Sequence, residues 1–288
     1  MKILLTGANG FIGSNLLNLL LADKKNFVYA LSRKPLGIKN SRLKNLVVDI
    51  SKTDFTKKLK FKTDIVIHLA QSRHFREFPL GASDVFKVNV LSTYYLLEWS
   101  RKNNIRKFIF ASTGSVYRTD SKFLTERSQI RPESFYAQSK YIAENLIKEY
   151  SGFFKTIILR IFTPYGPAQK NMLIPNIIER IKNHHEITLA KGKGIILSPV
   201  FIDDCCKMIQ QITKQKIENG IYNLSGNEKI SLAKIVSIIE KELKTKARIK
   251  ITDEPATYLA ADSSKLYKAI KFIPSASVKE GLKKTLKN

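Results

Sequence analysis

Short apolar runs alternate along this chain with longer stretches of helical period. Ile3-Leu4-Leu5, within Lys2 to Thr6, predict a buried strand, and the apolar positions between Ser14 and Leu21 predict a helix after it. Further strands are expected at Asn26 to Ser32, at Leu46 to Val48 running into Asp49-Ile50, at Asp64 to Leu69, at Lys107 to Ala111 and at Thr156 to Ile161. Between them Gly81 to Lys102 reads as one long helix carrying Val85, Val88, Leu91, Tyr95, Leu96 and Trp99. Phe135 to Tyr150 reads as another. Apolar strands joined through helices imply an α/β fold: a doubly wound parallel sheet with right-handed crossovers.

The rhythm changes beyond Thr163, where Pro164, Gly166 and Pro167 interrupt the chain. A helix is expected from Leu173 to Asn183, then a hairpin-like glycine stretch around Gly192 and Gly194. Val200-Phe201-Ile202 leads into Asp203-Asp204, either of which could cap a helix reaching Gln211. Ile221 to Leu224 reads as a strand, Ser231 to Leu243 as an amphipathic helix, and Lys279 to Leu286 as a closing helix. The expected division is a first domain over residues 1–163 and a smaller α/β lobe over 164–288. Some segments of that lobe are expected to return to the sheet. The rest lies over the sheet's carboxyl edge, where ligands of open α/β sheets bind.

Composition alters this picture in a few places. The 288 residues are 43% hydrophobic, enough for a full core and too apolar for disorder. No apolar run reaches the ~18 residues of a bilayer span. Met1 runs straight into the first strand with no signal-peptide pattern, so a cytoplasmic location is expected. Cys205 and Cys206 are adjacent, a poor arrangement for a bridge, and no metal-ligand spacing surrounds them. Two reduced thiols and no metal site are expected. The charge is extreme: 50 Lys plus Arg against 24 Asp plus Glu, a net +26. Such a balance suits nucleic acid, an anionic membrane or a polyanionic substrate. The lysines are scattered, however, with no basic run of five and no nucleic-acid motif, so solvated lysine faces are favoured over a nucleic-acid partner.

Three stretches carry chemistry. The turn Gly7-Ala8-Asn9-Gly10-Phe11-Ile12-Gly13 sits between the first strand and the first helix. Gly7 allows a tight exit from the strand, Gly10 lets a pyrophosphate approach the backbone, and Gly13 lets helix and strand pack closely. The helix N-terminus then offers free N–H groups to a dinucleotide phosphate. The second stretch is Tyr136-Ala137-Gln138-Ser139-Lys140, which puts Tyr136 and Lys140 on one helix face. A tyrosine titrates near ~10 and needs a neighbouring cation before it can work as a base at neutral pH. The third is Ala111-Ser112-Thr113-Gly114-Ser115-Val116-Tyr117, which puts hydroxyls at the carboxyl end of a central strand.

Together these stretches resemble the extended short-chain dehydrogenase/reductase family, in its NAD-dependent epimerase/dehydratase group, which acts mostly on nucleotide sugars. The resemblance spans nearly the whole chain. It also includes Ile67-His68-Leu69-Ala70, Asn89-Val90, Arg160 to Pro167, Phe201 to Asp204, Tyr222-Asn223-Leu224 and Ala261-Asp262-Ser263-Ser264-Lys265. It implies a Rossmann domain and NAD or NADP as cofactor. Thr113, Tyr136 and Lys140 would form the catalytic set, with Tyr136 as acid/base, Lys140 on the nicotinamide ribose and Thr113 on the substrate oxygen. The cofactor would lie along Gly7, Asn9, Gly10, Phe11, Ile12 and Gly13. Ser32 and Arg33 would follow, then Asp49 and Ile50 at the adenine, Leu69, Ala70 and Gln71 along the dinucleotide, and Tyr136, Lys140 and Phe162 at the nicotinamide end. Arg73, Thr113, Ser115 and Tyr136 would meet the substrate. His68, at the end of a buried strand, reads as structural. The helices near 81–102 and 136–151 resemble the pair through which the family builds homodimers.

The chain also departs from the family pattern. The second strand ends in Ser32-Arg33-Lys34, with no carboxylate for an adenosine 2′-hydroxyl. Arg33 suits a 2′-phosphate or adenine stacking, so NADP(H) is expected to bind at least as tightly as NAD(H). Gly114 and Ser115 stand where dehydratases carry Asp-Glu, which argues against 4,6-dehydration. Leu197 stands where many members hold the substrate pyrophosphate with an arginine, and Tyr258 or Leu259 where a later arginine is usual. Arg73, Arg76, Lys191 and Lys193 remain as possible substitutes. The expected activity is epimerisation or ketone/alcohol reduction of a sugar carried on a nucleotide. The rival reading is a non-catalytic dinucleotide sensor that binds an acidic macromolecule.

Overall fold

The computed structural model describes residues 1–52, 54–119 and 123–287. Five-residue β1 (Lys2–Thr6) leads through the glycine turn into α1 (Phe11–Ala22). The strands β2 (Phe27–Ser32), β3 (Leu43–Val47) and β4 (Ile65–His68) follow. The long helix expected over 81–102 is broken. It comprises α2 (Ala82–Phe86), a π-helical turn over Lys87–Leu91, and α3 (Ser92–Lys102). Next come β5 (Lys107–Thr113), α4 (Phe135–Glu149) and β6 (Lys155–Ile161). Ser134 caps α4 by accepting a hydrogen bond from the Ala137 N–H.

Past β6 the elements are β7 (Pro164–Tyr165), α5 (Leu173–Lys182), β8 (Glu186–Ala190), β9 (Ile196–Leu197) and β10 (Val200–Phe201). They continue as α6 (Ile202–Lys214), β11 (Gly220–Leu224), β12 (Ile230–Ser231) and α7 (Leu232–Leu243). The chain closes with β13 (Arg248–Thr252), β14 (Tyr258–Leu259), α8 (Ser264–Ile270) and α9 (Val278–Leu286).

Seven parallel strands form the main sheet in the order β11-β6-β5-β4-β1-β2-β3. The chain starts at β1, builds outward to β3, then returns to β4 and builds the other way. That reversal opens a crevice at the carboxyl ends of β1 and β4. The central strands are buried on both sides, as their unbroken apolar sequences require. One face is covered by α1 and α6, whose Leu16, Leu17, Leu20, Ile209 and Ile212 share a core with Ile3 and Ile109. That core continues into the later part of the chain through Ile174, Ile235 and Leu282. The opposite face packs Leu96, Leu97 and Ile147 against Leu4, Val66 and Phe108.

The later segments depart furthest from expectation. Gly192 and Gly194 do have φ of +69° and +63°, but they join no hairpin. β8 pairs instead with the distant β13 in parallel, and β9 lies between β12 and β14. Neither Asp203 nor Asp204 caps α6, whose N-cap is Phe201. Asp204 turns inward, where one carboxylate oxygen accepts the N–H groups of Ser275 and Ala276 at 2.9 and 2.8 Å. Both cysteines are buried and unbridged on α6. No helix among the described residues is long and apolar enough to cross a membrane.

A buried ion pair ties α4 to the sheet. Arg160 on β6 donates from Nη2 and Nε to the two oxygens of Glu144, at 2.6 and 3.0 Å, and both residues are essentially inaccessible. Ser112 on β5 donates to the same carboxylate. Glu144→Ala should destabilise the fold by about 3–5 kcal/mol, because it strands a buried guanidinium. Adding Arg160→Met should recover most of that loss in a urea titration. If the double variant is no more stable than the single one, the pair does not act as described.

Candidate active site

The glycine turn makes the first wall of the crevice. Gly7 has φ of +70°, and a β-carbon there would lie 2.8 Å from the Ala70 nitrogen. A β-carbon on Gly13 would lie 2.0 Å from the Gly7 carbonyl oxygen. Both positions therefore need glycine to bring α1, the turn and the loop after β4 together. Gly10 is the N-cap of α1, and no side chain caps that end. Asn9 and Gly10 are exposed, with Phe11 and Ile12 half-buried behind them. The orphan N–H groups and the positive end of α1 thus face open space in a cradle without side chains. This suits the pyrophosphate of a dinucleotide.

The ends of β1 and β4 are fixed by a buried relay. The Thr6 hydroxyl accepts the Ala70 N–H at 3.2 Å and lies 2.7 Å from His68 Nδ1. His68 Nε2 lies 3.0 Å from the Thr93 hydroxyl, which itself donates to the Asn89 carbonyl. Thr93 must therefore accept from Nε2–H, which leaves Nδ1 as the acceptor from Thr6. Burial, and after it the charge of Lys140, pushes His68 down to about 3, so the ring is neutral. The structural role expected for His68 is what this geometry gives it.

At the far end of the crevice, Ser32 is buried. Its hydroxyl donates to the Lys34 carbonyl and accepts from Asn45, so it is already engaged. Arg33 is exposed beside it. Burial works to raise the Asp49 carboxyl, but hydrogen bonds from Ser51 and the charges of Lys52 and Arg33 outweigh it and hold the carboxyl low. Ile50 is packed beneath.

The opposite wall is the start of α4 and the end of β5. Burial pushes the half-buried Tyr136 up to about 12, while the adjacent Thr113 hydroxyl pulls the other way. Its hydroxyl donates to the Gln71 side-chain oxygen at 3.1 Å. Lys140 is buried, with Nζ 2.8 Å from the Ala111 carbonyl and 4.8 Å from the centre of the Phe110 ring. Burial pulls it down to about 7, and Glu144 works in the opposite direction. Lys140 thus lies beneath Tyr136 and bonds the sheet rather than the phenol. Thr113 accepts the Ser115 N–H at 3.2 Å, and both residues are half-buried. Phe162 is 1% exposed. Its ring lies where a β-carbon on Gly114 would come within 2.5 Å, so the residue underlies the site rather than lining it.

Two further residues have roles that the sequence reading does not assign. Asn89, in the π turn, accepts the Ser72 N–H and donates to Ser139, which donates to the Tyr136 carbonyl. Its sequence marks are a polar residue within an apolar helical stripe and the Asn89-Val90 motif, neither of which assigns it this bridging role. Phe75, in the loop after β4, sets its ring 5.1 Å from that of Tyr136. Its neighbour Arg76 donates to the Asn171 carbonyl at 2.7 Å and so bridges the mouth of the cleft, while Arg73 stays exposed. Leu197 is fully buried. Lys191 and Lys193 are exposed around the Gly192 turn.

A glycine cradle facing a tyrosine, a threonine and a buried lysine can hold a dinucleotide against an alcohol or carbonyl. The sequence profile of the NAD dependent epimerase/dehydratase family matches residues 3–225. The chain belongs to that family. A Bacillus subtilis protein named as an uncharacterized UDP-glucose epimerase, YtcB, is 32% identical over 98% of this chain and 96% of its own. The human dTDP-D-glucose 4,6-dehydratase is 29% identical over 99% of this chain and 89% of its own. Among solved structures, the UDP-glucuronic acid 4-epimerase of Bacillus cereus, in complex with UDP-glucuronic acid and NAD, superposes with a TM-score of 0.88. It is 28% identical, and the match covers 100% of this chain and 98% of that one. Membership makes this chain an enzyme of the extended short-chain dehydrogenase type, and the glycine cradle fits the cofactor in the family's name.

The buried lysines give the family member a pH signature. In the folded chain Lys140 is pulled down to about 7, and Lys107, buried against the Ile212 and Gln215 carbonyls, to about 8. An unfolded lysine titrates near ~10.4, so between these values the unfolded state binds more protons and stability rises with pH. Without added cofactor, the urea midpoint should climb between about pH 7 and pH 9, and Lys140→Met should remove part of the climb. A wild-type midpoint that stays level across this window would contradict the placement of these side chains.

Proposed function

We propose that this protein is an NAD(P)-dependent epimerase or ketone/alcohol reductase acting on a nucleotide-activated sugar, with Tyr136 as acid/base. The observation that carries the reading is the Tyr136 hydroxyl beside Thr113 at the carboxyl edge of the sheet, across from the glycine cradle. A UDP-sugar is the favoured substrate class, because the Bacillus cereus relative is a UDP-glucuronic acid 4-epimerase. Dehydration is disfavoured: positions 114 and 115 carry no carboxylate, and the Phe162 ring leaves no room for a side chain at Gly114. With Leu197 buried, the substrate diphosphate is assigned to Arg73 and Arg76 and to the N-terminus of α5, which no side chain caps.

Gly7, Gly10, Gly13 and the start of α1 would hold the cofactor pyrophosphate, with Leu69, Ala70 and Gln71 along its length. A nicotinamide held there would supply hydride transfer to or from the reacting sugar carbon. Tyr136 and Thr113 hydrogen-bond the oxygen on that carbon, and Tyr136 receives or returns its proton. A phenol pushed up to about 12 is set to donate to a carbonyl; to accept a proton it needs positive charge nearby. Lys140, when protonated, would supply that charge and would hold the nicotinamide ribose.

Tyr136→Phe should leave cofactor affinity nearly unchanged and lower turnover of a UDP-sugar by about 10²–10⁴. Lys140→Met should damage both quantities. Thr113→Ala should cost less than either, since it removes one hydrogen bond and no proton path. A screen of UDP-, GDP-, CDP- and dTDP-sugars identifies the substrate for these assays. Wild-type turnover in Tyr136→Phe would sink the mechanism and favour the sensor reading.

The cofactor preference rests on Arg33. NADP(H) should bind at least as tightly as NAD(H), because a guanidinium meets a 2′-phosphate that a carboxylate would repel. Arg33→Asp should move the ratio of dissociation constants towards NAD(H); an unchanged ratio would remove Arg33 from that role.

A homodimer through α3 and α4 completes the proposal. Tyr94 and Ile142 leave 43% and 42% of their surface exposed on these helices, an apolar area that a two-fold interface would cover. Light scattering at micromolar concentration should give twice the chain mass, and a monomer mass would count against the interface.

A further inference from the structure

The strand pair β8–β13 has no third strand on either side among the described residues, and the β13 edge is the exposed one. Among the described residues β13 pairs only with β8, so its other edge carries no strand. The parallel register sets Ile249 beside Ile187 and Ile251 beside Leu189. Ile187 and Leu189 are buried, whereas Ile249 and Ile251 are 41% and 66% exposed. The apolar face of this small sheet thus runs past its cover and ends bare at the open edge. A strand there would find both backbone groups to pair with and an apolar strip to bury.

The charges around that edge select the occupant. Arg248 and Lys250 alternate with the two isoleucines, and Lys244 and Lys246 precede them, all exposed. None of these four cations makes an ion pair among the described residues. The acids placed nearby are Glu186, beside Arg248 in the register, Glu240, whose carboxylate accepts the Ala247 N–H at 2.8 Å, and Asp253 and Glu254 after the strand. A second copy of β13 would bring like charges together, which disfavours self-pairing. A segment with the opposite pattern, apolar residues alternating with carboxylates, would cover Ile249 and Ile251 and meet Arg248 and Lys250 at once. The net +26 of the chain would also draw an acidic partner from a distance.

We propose that the open edge of β13 is a docking site for an extended acidic segment of another protein, which adds a third strand to the β8–β13 pair. This site is separate from Tyr136 and its neighbours, so it stands whichever substrate the cleft takes. The partner is defined by its chemistry: a strand of alternating apolar and acidic residues with free backbone N–H groups.

Fluorescence anisotropy with the full chain tests this. The probe is a labelled, end-capped peptide of alternating valine and glutamate. It should bind saturably, and its backbone N-methylated form should not. Ile251→Ser should weaken binding by about tenfold, and the double variant Arg248→Glu, Lys250→Glu should weaken it further and gain affinity for a valine–lysine peptide. Both variants change exposed side chains, and their far-UV circular dichroism should match the wild type. Three results would each overturn the proposal. One is polyglutamate binding as well as the alternating peptide. Another is a charge-reversed variant with unchanged preference. The third is displacement of the bound peptide by anionic vesicles or RNA but not by unlabelled peptide.

Discussion

The placement of the candidate site rests on one buried carboxylate. Glu144 lies on α4, two helical turns beyond Tyr136, and is gripped by Arg160 from β6 and Ser112 from β5. Three elements therefore meet at one ionic contact with almost no access to water. Such a pair gains little over an apolar one in net stability, but breaking it is costly. Its value here is register. A slip of α4 by one residue would unmake both hydrogen bonds from Arg160. It would also carry Tyr136 and Lys140 away from the end of β5.

The same carboxylate governs the charge beneath the site. Lys140 lies one turn before Glu144 and is buried against the Ala111 carbonyl. Burial opposes its charge, and Glu144 favours it. His68 feels the result, since the Lys140 charge adds to burial in keeping its ring neutral. The buried polar groups around the crevice thus form one balanced set: a neutral imidazole between two hydroxyls, a lysine near its titration point, and a fully paired carboxylate. Arg160 also lies 4.5 Å from the centre of the Tyr117 ring, and the Tyr117 hydroxyl donates to Asn223 on β11. The network therefore reaches the outermost strand on that side of the sheet.

How much of this is legible in the sequence depends on how local the cause is. Gly7, Gly10 and Gly13 act through their own backbone and near neighbours, and the turn they predict is the turn that forms. Tyr136 and Lys140 share a face because helical periodicity requires it. The parallel sheet follows from apolar runs alternating with helices. What stays hidden is set by distant partners. β8 and β13 are separated by α6 and α7, and no pattern near Gly192 announces their pairing. Asp204 reads as a cap because its sequence position suits one, yet Ser275 and Ala276 claim it from the far end of the chain. The expected tuning of Tyr136 by Lys140 also assumed that sharing a face means contact. Burial gave Lys140 a carbonyl partner in the sheet instead.

The π turn at Lys87–Leu91 shows why a local rule yields at this place. Apolar periodicity over 81–102 favours an unbroken α-helix, and a π turn sacrifices regular hydrogen bonding. The Asn89 side chain, on that turn, spans the loop after β4 and α4, alongside the direct bond from Tyr136 to Gln71. It receives the backbone of the loop after β4 through Ser72 and holds the backbone of α4 through Ser139. The first of these follows the stretch assigned to the cofactor, and the second carries Tyr136. The Asn89 carbonyl meanwhile receives the Thr93 hydroxyl that fixes the His68 ring. One irregular turn thus couples the end of β4, its following loop and the start of α4. An ordinary helix would give up that coupling, which is why sequence periodicity fails to predict the geometry there.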